Sequence, residues 1–169
     1  MPLVKGNTII VDDFARVADE DSIPDERAIL LPAARFLADP DGLLKRRGNV
    51  GVIWPNNGNV AELKPYLDRL AIIALVFPNF RDGRAYSQAR LLRERFGFRG
   101  ELRATGQVLR DQFVFMLRAG FDAFEVKKAA DAAVFAEVAA RYSVFYQPTG
   151  DGRETASLQR VSQLAGNAR

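Results

Sequence analysis

Seven arginines fall between residues 81 and 103 of a 169-residue chain, beside two junctions where an apolar run gives way to helical spacing. An arginine fork grips phosphate, sulfate-like anions or carboxylates bidentately, so the chemistry this stretch could do is anion recognition. The segment Asn79-Phe80-Arg81-Asp82-Gly83-Arg84 follows the most apolar run in the chain, AIIALVF at residues 71–77. In an α/β protein a ligand meets the C-terminal ends of strands and the free N–H groups of helix starts. Asn79, Arg81 and Arg84 are therefore the first anion-binding candidates. The competing reading is that Asp82 caps a helix and pairs with an arginine.

Further along, Glu101, Arg103 and Thr105 alternate with Leu102 and Ala104 and share one face of a strand. Leaving Arg103 buried and unpaired would cost about 3–5 kcal/mol, so a carboxylate or a bound anion is expected to face it. Asp111 and Glu125 are the candidate carboxylates, and a structural ion pair is as good a reading as a ligand site. Asp111 and Gln112, one turn into the following helix, could face the loop mouth and join Arg103. The anion-binding set is then Asn79, Arg81, Arg84, Arg103, Thr105 and Gln112. In an enzyme acting on a phosphorylated or carboxylated small molecule, Asp82, Glu101 or Asp111 would serve as acid or base.

The sequence contains no cysteine and no histidine. That removes disulfides, thiolate nucleophiles, cysteine-ligated iron–sulfur clusters, zinc sites of the usual kind and the commonest general base near neutral pH. Ser87 has neither a histidine nor a G-x-S-x-G elbow to activate it. No G-x-G-x-x-G or P-loop pattern occurs, no pair of carboxylates has a metal-binding spacing, and no cofactor is named by any motif. Net charge is +3, carried by 19 arginines and 5 lysines, without a nucleic-acid-reading signature. No apolar run approaches the ~20 residues that a bilayer span needs. No leader pattern marks the N-terminus, so a cytoplasmic protein without membrane or nucleic-acid partners is expected.

These residues need elements to position them, and the chain reads as repeated strand–helix units. Residues 1–27 are the least regular, with a short strand at 8–11 and an exposed acidic loop at 19–26. Strands are expected at 28–31, 50–54, 71–77, 102–104 and 123–126. Helices are expected at 33–37, 60–70 with Pro65 inside, 82–96, 107–118 and 129–146. Asp39-Pro40-Asp41-Gly42 reads as a breaker and Thr105 as a cap. Ala85, Ala89, Leu92 and Phe96 make one apolar face, whereas Arg90 with Glu94, and Arg93, Arg95 and Arg99, read as a solvated surface. The fold class expected is α/β, a mainly parallel sheet with helices on both faces; the alternative is a TIM-like half-barrel that pairs its open edges in a homo-oligomer. One domain over residues 1–147 with a mobile polar tail over 148–169 is the expected organisation.

The stretch FPNFRDGRAYSQARLLRERFGFRGELRATGQVLRDQFVFMLRAGFDAFEV resembles the bacterial domain of unknown function 934 family. The shared pattern is F-x-D-G-R (Phe80, Asp82, Gly83, Arg84), S-x-A-R-x-L-R (Ser87, Ala89, Arg90, Leu92, Arg93) and G-E-L-R-A-x-G (Gly100 to Ala104, Gly106). D-Q (Asp111, Gln112) and R-x-G-F-D (Arg118, Gly120, Phe121, Asp122) complete it. The resemblance implies an uncharacterised protein associated with assimilatory sulfite or nitrite reductase, and it carries no established catalytic residues. Sulfite reduction needs sirohaem and an iron–sulfur cluster held by cysteine, so this sequence is not expected to be the reductase. It is expected to be an accessory protein of sulfur assimilation that binds an anionic small molecule or docks on the reductase.

Overall fold

The structure, a computed structural model, describes residues 2–6, 8–128, 130–141, 144–149 and 153–166. A short hairpin opens the chain, β1 (Leu3–Lys5) pairing antiparallel with β2 (Thr8–Ile10). Next come β3 (Ala15–Arg16) and β4 (Ile29–Pro32), then α1 (Ala33–Ala38), α2 (Pro40–Leu44) and β5 (Val50–Trp54). A 3-10 helix over Val60–Tyr66 leads to β6 (Ile72–Phe77). Helix α3 (Arg84–Arg90) runs on into a wider π turn, Leu91–Arg95, before β7 (Glu101–Gly106). A 3-10 turn at Arg110–Gln112 opens α4 (Phe113–Ala119), and β8 (Ala123–Glu125), α5 (Ala130–Ala140) and α6 (Ala156–Gly166) complete the chain.

All eight strands form one sheet in the order β2-β1-β8-β7-β6-β5-β4-β3. From β3 to β8 spatial neighbours are also sequence neighbours, and every pair is parallel. Right-handed crossovers that always step to the next strand leave their helices on one face. The burial pattern agrees: Leu31, Val52, Leu75, Leu102 and Phe124 share one large core with Phe36, Leu63, Ala89 and Phe113 from the helices. The opposite face holds a small cluster, Leu30, Ile72 and Ala74, covered by Phe14 and Ile53. Of the two expected architectures, the half-barrel is therefore the one found, and the open sheet with helices on both faces gives way to it.

A flat sheet is incompatible with the chain's connectivity. Eight flat strands at about 4.8 Å spacing would separate the edges β2 and β3 by about 34 Å. Only residues 11–14 join these two edges, a link that spans at most about 18 Å. The sheet must bend, and residues 11–14 cross its concave side.

Several local expectations shift. Asp39 begins a helix rather than breaking one, its carboxylate accepting from the Gly42 amide at 3.0 Å with Pro40 at the first helical position, where a missing N–H costs nothing. Residues 60–66 wind as a 3-10 helix, with Pro65 inside it. Strand β7 outlasts its expected end because Thr105 and Gly106 pair with Val76 and Phe77. Thr105 is thus a strand residue, not a cap. The helix expected from 107 waits until Arg110. β1 and β3 were not expected at all, and 156–166, read as polar tail, is helical. Ala129 and positions 142–143, assigned to the fifth helix, and 150–152 and 167–169 of the tail lie outside the described residues. Among the described residues no helix is long and apolar enough to cross a membrane.

Candidate functional site

On the concave face, every second residue of β7 and β8 points away from the large core, and four of these side chains are polar. Arg103 is 1% exposed. Its Nη1 and Nη2 donate to the two oxygens of Asp12 at 2.6 and 3.2 Å, its Nε donates to Glu101 at 2.9 Å, and Glu125 lies 3.5 Å from Nη1. Lys5 donates to the second Glu101 oxygen at 2.9 Å, Thr105 donates to Glu125 at 2.6 Å, and Arg16 donates to Glu125 as well. Three cations meet three carboxylates, so the cluster is neutral. Burial works against the Arg103 charge, but Asp12 and Glu101 outweigh it and leave the guanidinium pKa raised. The partner that Arg103 required is thus supplied from inside the chain, by Asp12, Glu101 and Glu125. Asp111 takes no part.

The 79–84 loop sits at the C-terminal end of β6, on the rim of the half-barrel. Asn79 Oδ1 accepts from the Arg81 amide at 2.9 Å, and Arg81 stacks over Phe80 at 5.3 Å. Asp82 holds the Arg84 guanidinium through two bonds, 3.0 and 2.6 Å, and accepts from the Arg84 amide at 3.3 Å. The Arg84 guanidinium first, then its amide and Asn56, hold the Asp82 carboxyl below the usual carboxylate range against the effect of burial. Asp82 stands one residue before the N-cap, Gly83. Neighbouring loops are tied in: Gln107 accepts from the Phe80 amide at 3.3 Å, and Gln112 donates to the Phe80 carbonyl at 3.1 Å. Gln112 therefore faces the loop mouth as expected, without reaching Arg103. The six anion candidates divide into two groups: Asn79, Arg81, Arg84 and Gln112 on the rim, Arg103 and Thr105 on the concave face.

The same rim continues past β7 and β8. There a cleft of about 380 Å³ is lined by Val108, Leu109, Arg110, Asp111, Lys127, Lys128 and Asp131. Arg110, Lys127 and Lys128 are exposed, and among the described residues none of them has an ion-pair partner. Sequence reasoning missed all three. Their signal was positional, since Lys127 and Lys128 directly follow a short apolar strand and Arg110 follows the β7 turn. Asp111 reaches farther: burial first and its charge second push the Tyr86 hydroxyl up to about 12, so Tyr86 stays protonated. The three acid–base candidates therefore differ, with Asp82 and Glu101 locked into ion pairs and Asp111 at the mouth of an open cleft.

Arg93 corrects a further expectation. Far from a solvated surface residue, it donates to the carbonyls of Gly120, Phe98 and Gly100 at 2.9, 2.7 and 2.8 Å and to the Asp122 carboxylate. Burial draws its pKa down, opposed by Asp122. Asp122 in turn accepts from the Leu102 amide at 2.9 Å. One arginine thus fastens the end of the π turn to the start of β7 and the turn before β8. Arg90 and Glu94 form the i,i+4 pair expected, at 3.2 Å.

The family model for a bacterial protein of unknown function (DUF934) matches residues 51–157. No curated protein matches the chain. The matched region begins in β5 and covers the rim loops, the Arg93 hub, and Glu101, Arg103, Thr105 and Glu125 of the concave cluster.

Proposed function

We propose, from the premise that the chain belongs to DUF934, a family of bacterial proteins of unknown function, that it is an accessory protein that holds a small oxyanion at the C-terminal rim of its half-barrel. The observation that carries this reading is the cleft where Arg110, Lys127 and Lys128, without ion-pair partners among the described residues, outnumber the two carboxylates in its wall, Asp111 and Asp131. Arg81 stands on the 79–84 loop of the same rim, which Asn79 and Gln112 brace. Such a rim is where strands of a parallel sheet deliver ligands. Arg84 acts here as a loop staple with Asp82, and Arg103 and Thr105 as internal structure.

The setting is sulfur assimilation, in line with the association implied by the family resemblance. The sequence has no ligands for sirohaem or an iron–sulfur cluster, so its part is to bind an anionic metabolite such as sulfite or to serve the reductase that does the chemistry.

A thermal-shift titration with sulfite, sulfate and phosphate tests the site. The expected result is stabilisation by one oxyanion, reaching about 2.7 kcal/mol at a hundredfold excess over Kd. The Lys127→Ala/Lys128→Ala variant and the Arg110→Ala variant lose it. A shift of equal size in both variants, or none with any oxyanion, removes the site.

A further inference from the structure

Helix α4 lies between α3 and α5, and its outer face is flanked by a hollow on either side. One, of about 640 Å³, separates it from α5 and is walled by Val114, Phe115, Val134 and Val138. The other, of about 800 Å³, is walled by Tyr86, Val114, Phe115, Ala119 and Tyr146. Phe115 is the ridge between them and is 67% exposed, while Tyr146 is 88% exposed. Phe145 lines both hollows beneath the Arg118 guanidinium, 4.0 Å from its ring centroid. Behind the wall Phe113, Phe124 and Phe135 from α4, β8 and α5 pack with ring centroids 4.9–5.2 Å apart. Phe115 and Tyr146 thus stand exposed beside two apolar hollows, the kind of surface that partners cover.

The charges around it select the occupant. Arg90, Arg110, Arg118 and Arg141 border the two hollows; Arg90 pairs with Glu94 at 3.2 Å and Arg141 with Glu137 at 3.6 Å, and with Asp111 these carboxylates leave the border a small positive excess. This chain's own amphipathic helix α6 exposes Leu158 and Val161 but carries Arg160 and no acidic residue, so it has the wrong sign to fill the hollows of a second copy. We propose that the groove receives an acidic amphipathic helix from a partner protein. Two bulky apolar side chains of that helix, one or two turns apart, sit on either side of Phe115, and its carboxylates meet the arginine border. The groove proposal goes beyond the oxyanion reading and does not depend on it.

Two fluorescent 16-residue helical probes test it on the full chain. They share Leu and Phe anchors, and one carries Glu and the other Lys at the remaining polar positions. Anisotropy titration is expected to show the Glu probe binding at least about tenfold more tightly than the Lys probe and weakening as salt rises. Phe115→Ala is expected to weaken it about tenfold or more and Arg141→Gln severalfold, with the circular dichroism spectrum unchanged and the melting temperature little changed, because Phe115 is exposed and Arg141 forms only a surface pair with Glu137 at 3.6 Å. Arg99→Ala, remote from the groove, leaves binding intact. Equal binding of the two probes, binding indifferent to Phe115→Ala, or no binding of the Glu probe at all overturns the proposal. So does a concentration-dependent doubling of mass that Phe115→Ala abolishes, which would make a second copy the occupant.

Discussion

Arg103 illustrates how far a single residue can be argued from sequence. Its alternation with Leu102 and Ala104 is enough to bury it, and burial is enough to demand a counter-charge. Glu101 and Glu125 lay within reach of that reasoning, two residues away and on the next strand. Asp12 did not, since it is 91 positions distant and comes into place only because the sheet curls. The energetic consequence is specific. Replacing Arg103 by Leu leaves Asp12, Glu101 and Glu125 facing one another around an apolar group, with only Lys5 and Arg16 left to balance them. Denaturant unfolding of Arg103→Leu is expected to show a loss of about 3–5 kcal/mol. A loss below about 1 kcal/mol would mean that the cluster is solvated rather than buried. Arg93 was misread for a related reason. Three of its four partners are backbone carbonyls, which no side-chain pattern in a sequence announces, and the fourth, Asp122, is 29 positions away.

At the scale of elements, the strands of the core were legible because β4, β5 and β6 are runs without a charged residue, closed by Pro32, Pro55 and Pro78. Two of the four short strands, β2 and β8, were also legible, but β1 and β3, with three and two residues, were not, since they are too short for periodicity and exist only through their neighbours. The junction after β7 was misjudged because Thr105 looks like a cap, whereas its hydroxyl serves Glu125. What ends β7 is Gly106, at φ +94°, where a Cβ would stand 2.4 Å from the Phe77 carbonyl oxygen. Only glycine tolerates both the backbone angle and that approach. Gly106→Ala is expected to lose about 1–3 kcal/mol in thermal or denaturant unfolding and to disturb the adjoining loop through Gln107, which holds the Phe80 amide. The residues on which the resemblance was drawn include Gly106, Gly120, Arg93 and Asp122, and the structure gives all four a backbone or packing duty. Much of that pattern is therefore fold, which is why it could not point to a reaction, while the rim cations Lys127 and Lys128 stand outside it.

The whole molecule raises the question of what curls the sheet. One answer is the tether, since residues 11–14 are too short to span a flat eight-stranded sheet. The other is packing: the helices that join the parallel strands crowd one face, and the opposite face is closed by Phe14 over Leu30, Ile72 and Ala74 and by the neutral cluster around Arg103. The side-chain bridge from Arg16 on β3 to Glu125 on β8 joins strands that are five steps apart in the sheet, and it forms only in the curled state. Packing and these bridges contribute several interactions, whereas a longer tether adds only loop-closure entropy, about 0.6 kcal/mol for each doubling in length. Inserting six Gly/Ser residues between Ile10 and Val11 leaves Asp12 and Phe14 at their native distance from β3. The insertion is therefore expected to cost no more than about 1–2 kcal/mol in denaturant unfolding and to leave the radius of gyration in solution scattering nearly unchanged. Expansion of the particle, together with a loss matching that of Arg103→Leu, would make the tether the cause of the curl. The concave cluster would then be its consequence, and the edges of the sheet would be free to pair with another chain whenever residues 11–14 are cut.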